Sequence, residues 1–311
     1  MKIKNIIQGI ATILPFIVTS CSNIHHEENM DEGLCAYFSI ERLESAVESR
    51  ITISPDENGN YNFVWNADEV IGIFPSNGYQ EPFEIPSSQA GQGKVTFDGG
   101  DWALKSGRVY AAYYPFDKKN FDSKEMKTQI AVSYEGQKQV GEAYGVGAYD
   151  FLYTPWVEAP STGSLDFTFK HLGSLGIFNV TFPASGTYTE LSISTKDALI
   201  PVNCTYDLTT TNGVALVAKT HTNIHTLVLE ECSVDANTVR KFHLWLPPTD
   251  LSSHDIKFIL KDNNGGQYEA PIASTHFEAG KKYIFNVSPA LTVIDGNGDD
   301  SDDSEFGSYY D

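Results

Sequence analysis

The sequence predicts an all-β chain folded as two tandem antiparallel β-sandwiches. Three observations predict it. First, apolar residues alternate with polar ones: Leu165, Phe167 and Phe169 with Asp166, Thr168 and Lys170; Phe242, Leu244 and Leu246 with His243 and Trp245; Ile256, Phe258 and Leu260 with Lys257 and Lys261; Tyr283, Phe285 and Val287 with Asn286. A period of two puts the apolar side chains on one face of a sheet. Second, Asn-Gly occurs at 58–59, 77–78, 212–213, 264–265 and 297–298, and this dipeptide accepts the positive φ angles of tight hairpins. Third, helical patterning is confined to two short stretches, 123–129 and 235–241.

Length suggests two domains. The turn-rich run Pro155, Pro160, Ser161, Thr162 and Gly163 places their boundary near residue 164. The expected organisation is a signal segment at 1–20, a polar tether at 21–34, sandwiches at 35–164 and 165–294, and a tail at 295–311.

The first twenty residues carry their own signal. Lys2 and Lys4 precede an apolar run from Ile6 to Val18, which ends in Val18-Thr19-Ser20-Cys21. A basic start, a short apolar stretch and small residues before a cut describe a secretory signal peptide. The run is shorter than the roughly 20 apolar residues of a transmembrane helix. The ending resembles the lipobox of bacterial lipoproteins. That resemblance implies that Cys21 becomes the first mature residue and carries the lipid, with fatty acyl chains such as palmitate holding the precursor on the outer membrane.

The formal net charge is -20. Loss of the signal, which has two lysines and no acid, makes the chain more negative still. Charge-driven binding of nucleic acid or anionic lipid is therefore disfavoured. Cysteines are sparse: besides Cys21 there are Cys35, Cys204 and Cys232. The last two are either bonded, since export permits oxidation, or separate buried thiols. With no Cys-x-x-Cys pair, a structural zinc site is not supported. His221 and His225 are four apart, a spacing that pairs ligands on a helix and not on a strand. Asp295-x-Asn297-x-Asp299 begins like a calcium loop, but Asp300 and Phe306 stand where that loop needs Gly and Glu. No metal and no cofactor is expected. No Gly-x-Ser-x-Gly elbow, phosphate loop or dinucleotide fingerprint occurs, so no catalytic residue is assigned and the chain is not expected to be an enzyme.

Several motifs in order resemble the fimbrillin-like family, the type V pilins. Trp65-Asn66-Ala67-Asp68-Glu69-Val70-Ile71-Gly72-Ile73-Phe74 is similar to an early strand of that family, and Tyr113-Tyr114-Pro115-Phe116 to its aromatic-proline strand end. Phe167-Thr168-Phe169-Lys170-His171-Leu172-Gly173-Ser174-Leu175 resembles its Phe-x-Phe-x-His stretch, and Phe277-Glu278-Ala279-Gly280-Lys281-Lys282-Tyr283-Ile284-Phe285-Asn286-Val287 its closing strand. From the residues themselves, Trp65 reads as core, Asp68 as a turn carboxylate, and His171 as a half-buried, hydrogen-bonded histidine.

The resemblance implies transthyretin-like sandwiches, export as a lipoprotein to the outer membrane and cell surface, and a place in a fimbria. It also implies assembly by strand exchange. A trypsin-like protease cuts after a basic residue near the N-terminus. The released first strand leaves an apolar groove, which a strand of another pilin subunit fills. Ala36–Ile40 is the expected first strand, with Tyr37 and either Phe38 or Ile40 buried. Arg42 and Arg50 follow it, and Ile51 opens the next strand. Arg50 is the expected cut and Arg42 the second candidate. Residues 295–311 carry seven acids and no lysine or arginine. Burying such a run in an apolar groove is costly. This departs from a stalk pilin's donor strand and points to a tip, anchor or accessory subunit, with a host or bacterial surface ligand as a further partner. The alternative reading is a surface glycan-binding lipoprotein, with Trp102, Trp156 and Trp245 as sugar-stacking platforms.

Overall fold

The computed structural model describes residues 35–41, 54–55, 61–62, 65–76, 78–120, 129–141, 149–161, 164–208 and 215–291. Cys21, Arg42, Arg50, the 123–128 stretch and the tail lie outside them. In chain order the strands begin with β1 (Cys35–Ile40), β2 (Ser54–Pro55), β3 (Tyr61–Asn62), β4 (Val70–Pro75), β5 (Glu81–Glu84), β6 (Lys94–Val95) and β7 (Val109–Tyr114). Next come β8 (Gln129–Ser133), β9 (Gln137–Val140), β10 (Leu152–Tyr153), β11 (Val157–Glu158) and β12 (Ser164–His171). The rest are β13 (Ser174–Thr181), β14 (Gly186–Ser194), β15 (Ile200–Asp207), β16 (Ala215–Thr222), β17 (Ile224–Val234) and β18 (Val239–Leu246). They are followed by β19 (Thr249–Asp250), β20 (Ile256–Asp262), β21 (Gln267–Ile272), β22 (His276–Phe277), β23 (Lys282–Val287) and β24 (Ala290–Leu291). Among the described residues the only helices are two short 3-10 turns, so the chain is all-β as its alternation predicts.

The first sheet runs β5-β4-β7-β10-β12-β1-β6, with β11 also on β7. Its two ends approach each other. Glu84 at the end of β5 exchanges both backbone hydrogen bonds with Asp98, just past β6, at 2.9 and 2.7 Å. The sheet thus curls around one core, in which Trp65, wholly buried, meets Phe97, Tyr114 and Phe169 edge-on at 5.0, 5.4 and 5.7 Å. Gly72 in the Trp65–Phe74 motif has a packing reason: a Cβ there would lie 2.1 Å from Tyr113 Cε1 on the neighbouring strand.

The second core lies between further sheets: β18-β13-β23, β24-β21-β20-β14-β17-β9 and β16-β15-β8. Phe178 of β13 packs on Phe285 of β23 at 5.1 Å and faces Phe258 of β20 at 5.6 Å. Antiparallel pairs dominate, but β1–β12, β13–β23 and β9–β17 are parallel. The expected Asn-Gly hairpin forms at 264–265, where Gly265 has φ 86° and Asp262 Oδ1 accepts from the N–H groups of Asn264 and Gly266. The helical pattern at 235–241 is overruled. Asn237 takes φ 62°, and Val239 begins β18 because Phe242, Leu244 and Leu246 are drawn into the sandwich.

A single cut at 164 does not separate the two cores. Leu165, Phe167 and Phe169 of β12, just beyond that point, fill the first core, while β8 and β9, well before it, pair with β15 and β17 of the second. The turn-rich stretch 155–163 contains β11 and precedes β12, and both strands belong to the first sheet. Phe74 and Tyr113, on the opposite face of that sheet from Trp65, pack into the second core, so the two bodies share a layer.

Cys204 and Cys232 are separate buried thiols. Burial pushes both upward in pKa, Cys204 to about 11, so neither is an activated nucleophile.

Candidate functional site

The site is the strand β1 and the slot it occupies. β1 pairs in parallel with β12, from Cys35 opposite Ser164 to Ile40 opposite Phe169, and antiparallel with β6 through Phe38 and Ser39. It is an inner strand of the curled sheet, with β12 on one side and β6 on the other. Ala36 and Phe38 point inward, and Phe38 is wholly buried. Its ring stacks on Phe167 at 4.8 Å with planes 8° apart and meets Phe97 edge-on at 5.1 Å. Tyr37 is not in the core: period two places it opposite Phe38, outside, where Lys94 Nζ lies 4.9 Å from its ring centre. Lys94 also reaches Asp166 at 2.6 Å, but both side chains are more than half exposed and the pair adds little.

Past Ile40 the ladder continues by one bond, from the Glu41 N–H to the Phe169 carbonyl at 2.7 Å. There His171, at the end of β12, meets the strand. Its Nε2 lies 3.2 Å from the Glu41 carbonyl and its Nδ1 2.8 Å from Asp150 Oδ1. The ring lies over Trp245 of β18 at 5.7 Å with planes 20° apart. His171 and Asp150 are both buried, more deeply than the half-burial read from the sequence. Glu41 itself is exposed, so the chain leaves the slot at the surface one residue before Arg42.

Another edge, β18, is closed by side chains instead of a strand. β9 runs parallel to β17 and turns two buried glutamines toward β18. Gln137 donates to the Trp245 carbonyl at 2.7 Å and accepts from the Trp245 N–H at 2.9 Å. Gln139 donates to the Lys241 carbonyl at 3.1 Å and accepts from the His243 N–H at 3.1 Å. Each amide stands in for a residue of a partner strand, so this edge offers no free ladder. Sequence reading missed both glutamines. The signal was Gln-x-Gln alternation, which reads as surface until the edge beneath it is known.

The histidines weighed as ligands fall elsewhere. His221 of β16 is exposed and His225 of β17 is buried. Among the described residues no group of three or more His, Cys, Asp or Glu could hold a metal ion. Burial lowers His225 to a pKa of about 4 and His243 to about 3. The unfolded chain protonates these rings near the ordinary value of about 6.5, while the folded state keeps them neutral. Their contribution to stability is thus whole above pH 6.5 and is lost as pH falls toward 4 and below. We expect unfolding free energy to decline by about 1.4 kcal/mol per pH unit for each histidine across that window. Urea midpoints taken from pH 7 to 4.5 measure it. A His243→Leu variant should fall less steeply, and equal slopes in both proteins would contradict the assignment.

Trp245 is wholly buried, and Trp102 and Trp156 are partly buried against the cores. Trp156 Nε1 donates to the Leu208 carbonyl at 2.8 Å. Two of the three proposed sugar platforms therefore serve packing or internal hydrogen bonding, and Trp102 lies edge-on to Phe83 at 5.7 Å.

Comparison with known proteins now decides the family. The profile described as fimbrillin-like matches residues 52–298. The chain belongs to the fimbrillin-like family. No curated protein matches it. The fold is similar to that of a Bacteroides ovatus protein proposed to act in cell adhesion, at 18% identity and TM-score 0.57, covering 84% of this chain and 94% of that one. A Bacteroides uniformis protein with the same proposed role matches at 16% identity and TM-score 0.54, covering 85% and 94%. At such identities the likeness is one of fold. The fimbrillin-like motifs keep structural duties here: Trp65 is core, Asp68 sits in a turn at φ 65°, and Gly280 turns at φ 72° into β23.

Proposed function

We propose that this fimbrillin-like protein is a structural or adhesive subunit of a surface fimbria, exported as a lipoprotein on Cys21 and assembled by replacing β1. A cut after Arg50 or Arg42 frees β1 from the body, and a strand of another subunit takes its slot. The observation that carries this reading is the position of β1. It joins β12 to β6 and supplies Phe38 to the core, yet its end reaches the surface at Glu41, one residue before Arg42. A strand so placed is integral while attached and replaceable once cut. Replacement by another extended segment recovers the main-chain hydrogen bonds and refills the Ala36 and Phe38 pockets.

N-terminal sequencing of subunits sheared from the cell surface tests the reading. A start just after Arg50 or Arg42 supports it, and a start at Cys21 in assembled fibres rejects it. Lipidation has its own expected result. Mass spectrometry of the uncut form in the membrane fraction should give a Cys21 peptide heavier by its acyl groups, and an unmodified N-terminus at another signal-peptidase site would exclude the anchor.

A further inference from the structure

We propose that His171 is the register latch of the β1 slot: it holds the last backbone carbonyl of whichever strand lies there, β1 before processing and the replacing strand afterwards. The inference rests on the strand-exchange reading above and adds what the slot selects.

Both nitrogens of the His171 ring face oxygens. Asp150 Oδ1 stands 2.8 Å from Nδ1, and the Glu41 carbonyl 3.2 Å from Nε2. A backbone carbonyl only accepts, so the nitrogen that faces it, Nε2, is the one that donates there. It has little freedom to turn. Trp245 stacks on it from the second core, Asp150 holds Nδ1 from the residues before β10, and its backbone is the last position of β12. The Nε2–H is therefore aimed at one point, and β1 puts a backbone carbonyl there.

That point lies just past the end of the β1–β12 ladder. The registered pairs stop at Ile40 opposite Phe169, and the Glu41 N–H closes on the Phe169 carbonyl at 2.7 Å. The Glu41 carbonyl follows, and the His171 side chain faces it at 3.2 Å. A strand that stops at Ile40 forgoes this contact with a buried ring. A strand slipped by one residue would also turn its core-facing side chains outward. The Phe38 pocket and His171 thus test an incoming strand at two places, one for side-chain phase and one for reach. The occupant that fits is an extended segment with small and aromatic residues in the Ala36 and Phe38 positions, and with backbone continuing at least one residue past the Ile40 position.

Two peptides test this on the processed protein, cut in the segment 42–50 and freed of the residues before the cut. One is Ala36–Glu41 as its amide. The other carries 4-aminobutyrate in place of Glu41, which keeps that residue's N–H and side-chain carboxylate but lacks its backbone carbonyl. We expect the second peptide to bind about tenfold more weakly, the scale of one hydrogen bond. The difference should vanish in His171→Asn, whose amide reaches only as far as Nδ1, and return in part in His171→Gln, whose amide nitrogen reaches the Nε2 position. Equal affinities of the two peptides for the wild-type protein would overturn the latch while leaving strand exchange intact. Failure of both peptides to bind at all would overturn strand exchange, and the latch with it.

Discussion

Trypsin-like treatment of the purified precursor is expected to convert monomers into oligomers that survive mild denaturant, and an Arg42→Ala/Arg50→Ala precursor is expected to stay monomeric under the same treatment. The reason lies in how β1 is held. Before the cut, covalent attachment keeps its local concentration high, and any displaced β1 returns at once. Afterwards it is held without that tether, through its ladders with β12 and β6, the Ala36 and Phe38 pockets and His171. Its departure opens an apolar slot that costs roughly 25 cal/mol per Å² exposed, and a strand from a second subunit removes that cost. The change in size by gel filtration is all or nothing. If the double variant assembles as well as the wild type, strand exchange through these arginines is wrong for this protein.

Phe38→Ala should destabilise the uncut protein by about 3–5 kcal/mol, the range for an aromatic truncated in a packed core. Phe38 is wholly buried, is stacked on Phe167 and meets Phe97 edge-on, and lies 6.2 Å from Phe169. The slot around it is bounded by strands of a nearly closed sheet, so collapse onto the cavity is limited. Urea unfolding reads the change as a lower midpoint at unchanged slope. The processed form, which no longer contains residue 38, should be indifferent to the substitution. This separates a property of the strand from damage to the body. A loss under about 1 kcal/mol would place Phe38 outside the core.

Much of this was legible along the chain, for a local reason. The faces of β12, β20 and β23 follow from side-chain alternation, and Leu165, Phe167, Phe169, Phe258 and Phe285 are buried where the pattern puts them. β18 shows where the pattern is incomplete: His243 and Trp245, read as the polar-side residues, are buried too, because a second layer covers that face. For β1 the strand was legible but its phase was not. Tyr37 and Phe38 are adjacent aromatics, and only the position of Phe97 and Phe167 makes Phe38 the inward one.

Motif spacing and alternation are short-range properties, so the family, the all-β class and the strand before Arg42 could be read without a structure. Pairing order is not short-range. That β12 returns to the first sheet while β8 and β9 join the second core depends on partners far along the chain, and no turn-rich segment announces it. The buried polar groups lie at the same limit. Gln137 and Gln139 are core residues only because β18 needs an edge partner. His171 faces the end of β1 only because β1 and β12, 128 residues apart at Ser39 and Phe167, lie side by side. An amide or imidazole is buried at acceptable cost only where its hydrogen-bond partners converge on it, and that convergence exists only once the sheets are assembled.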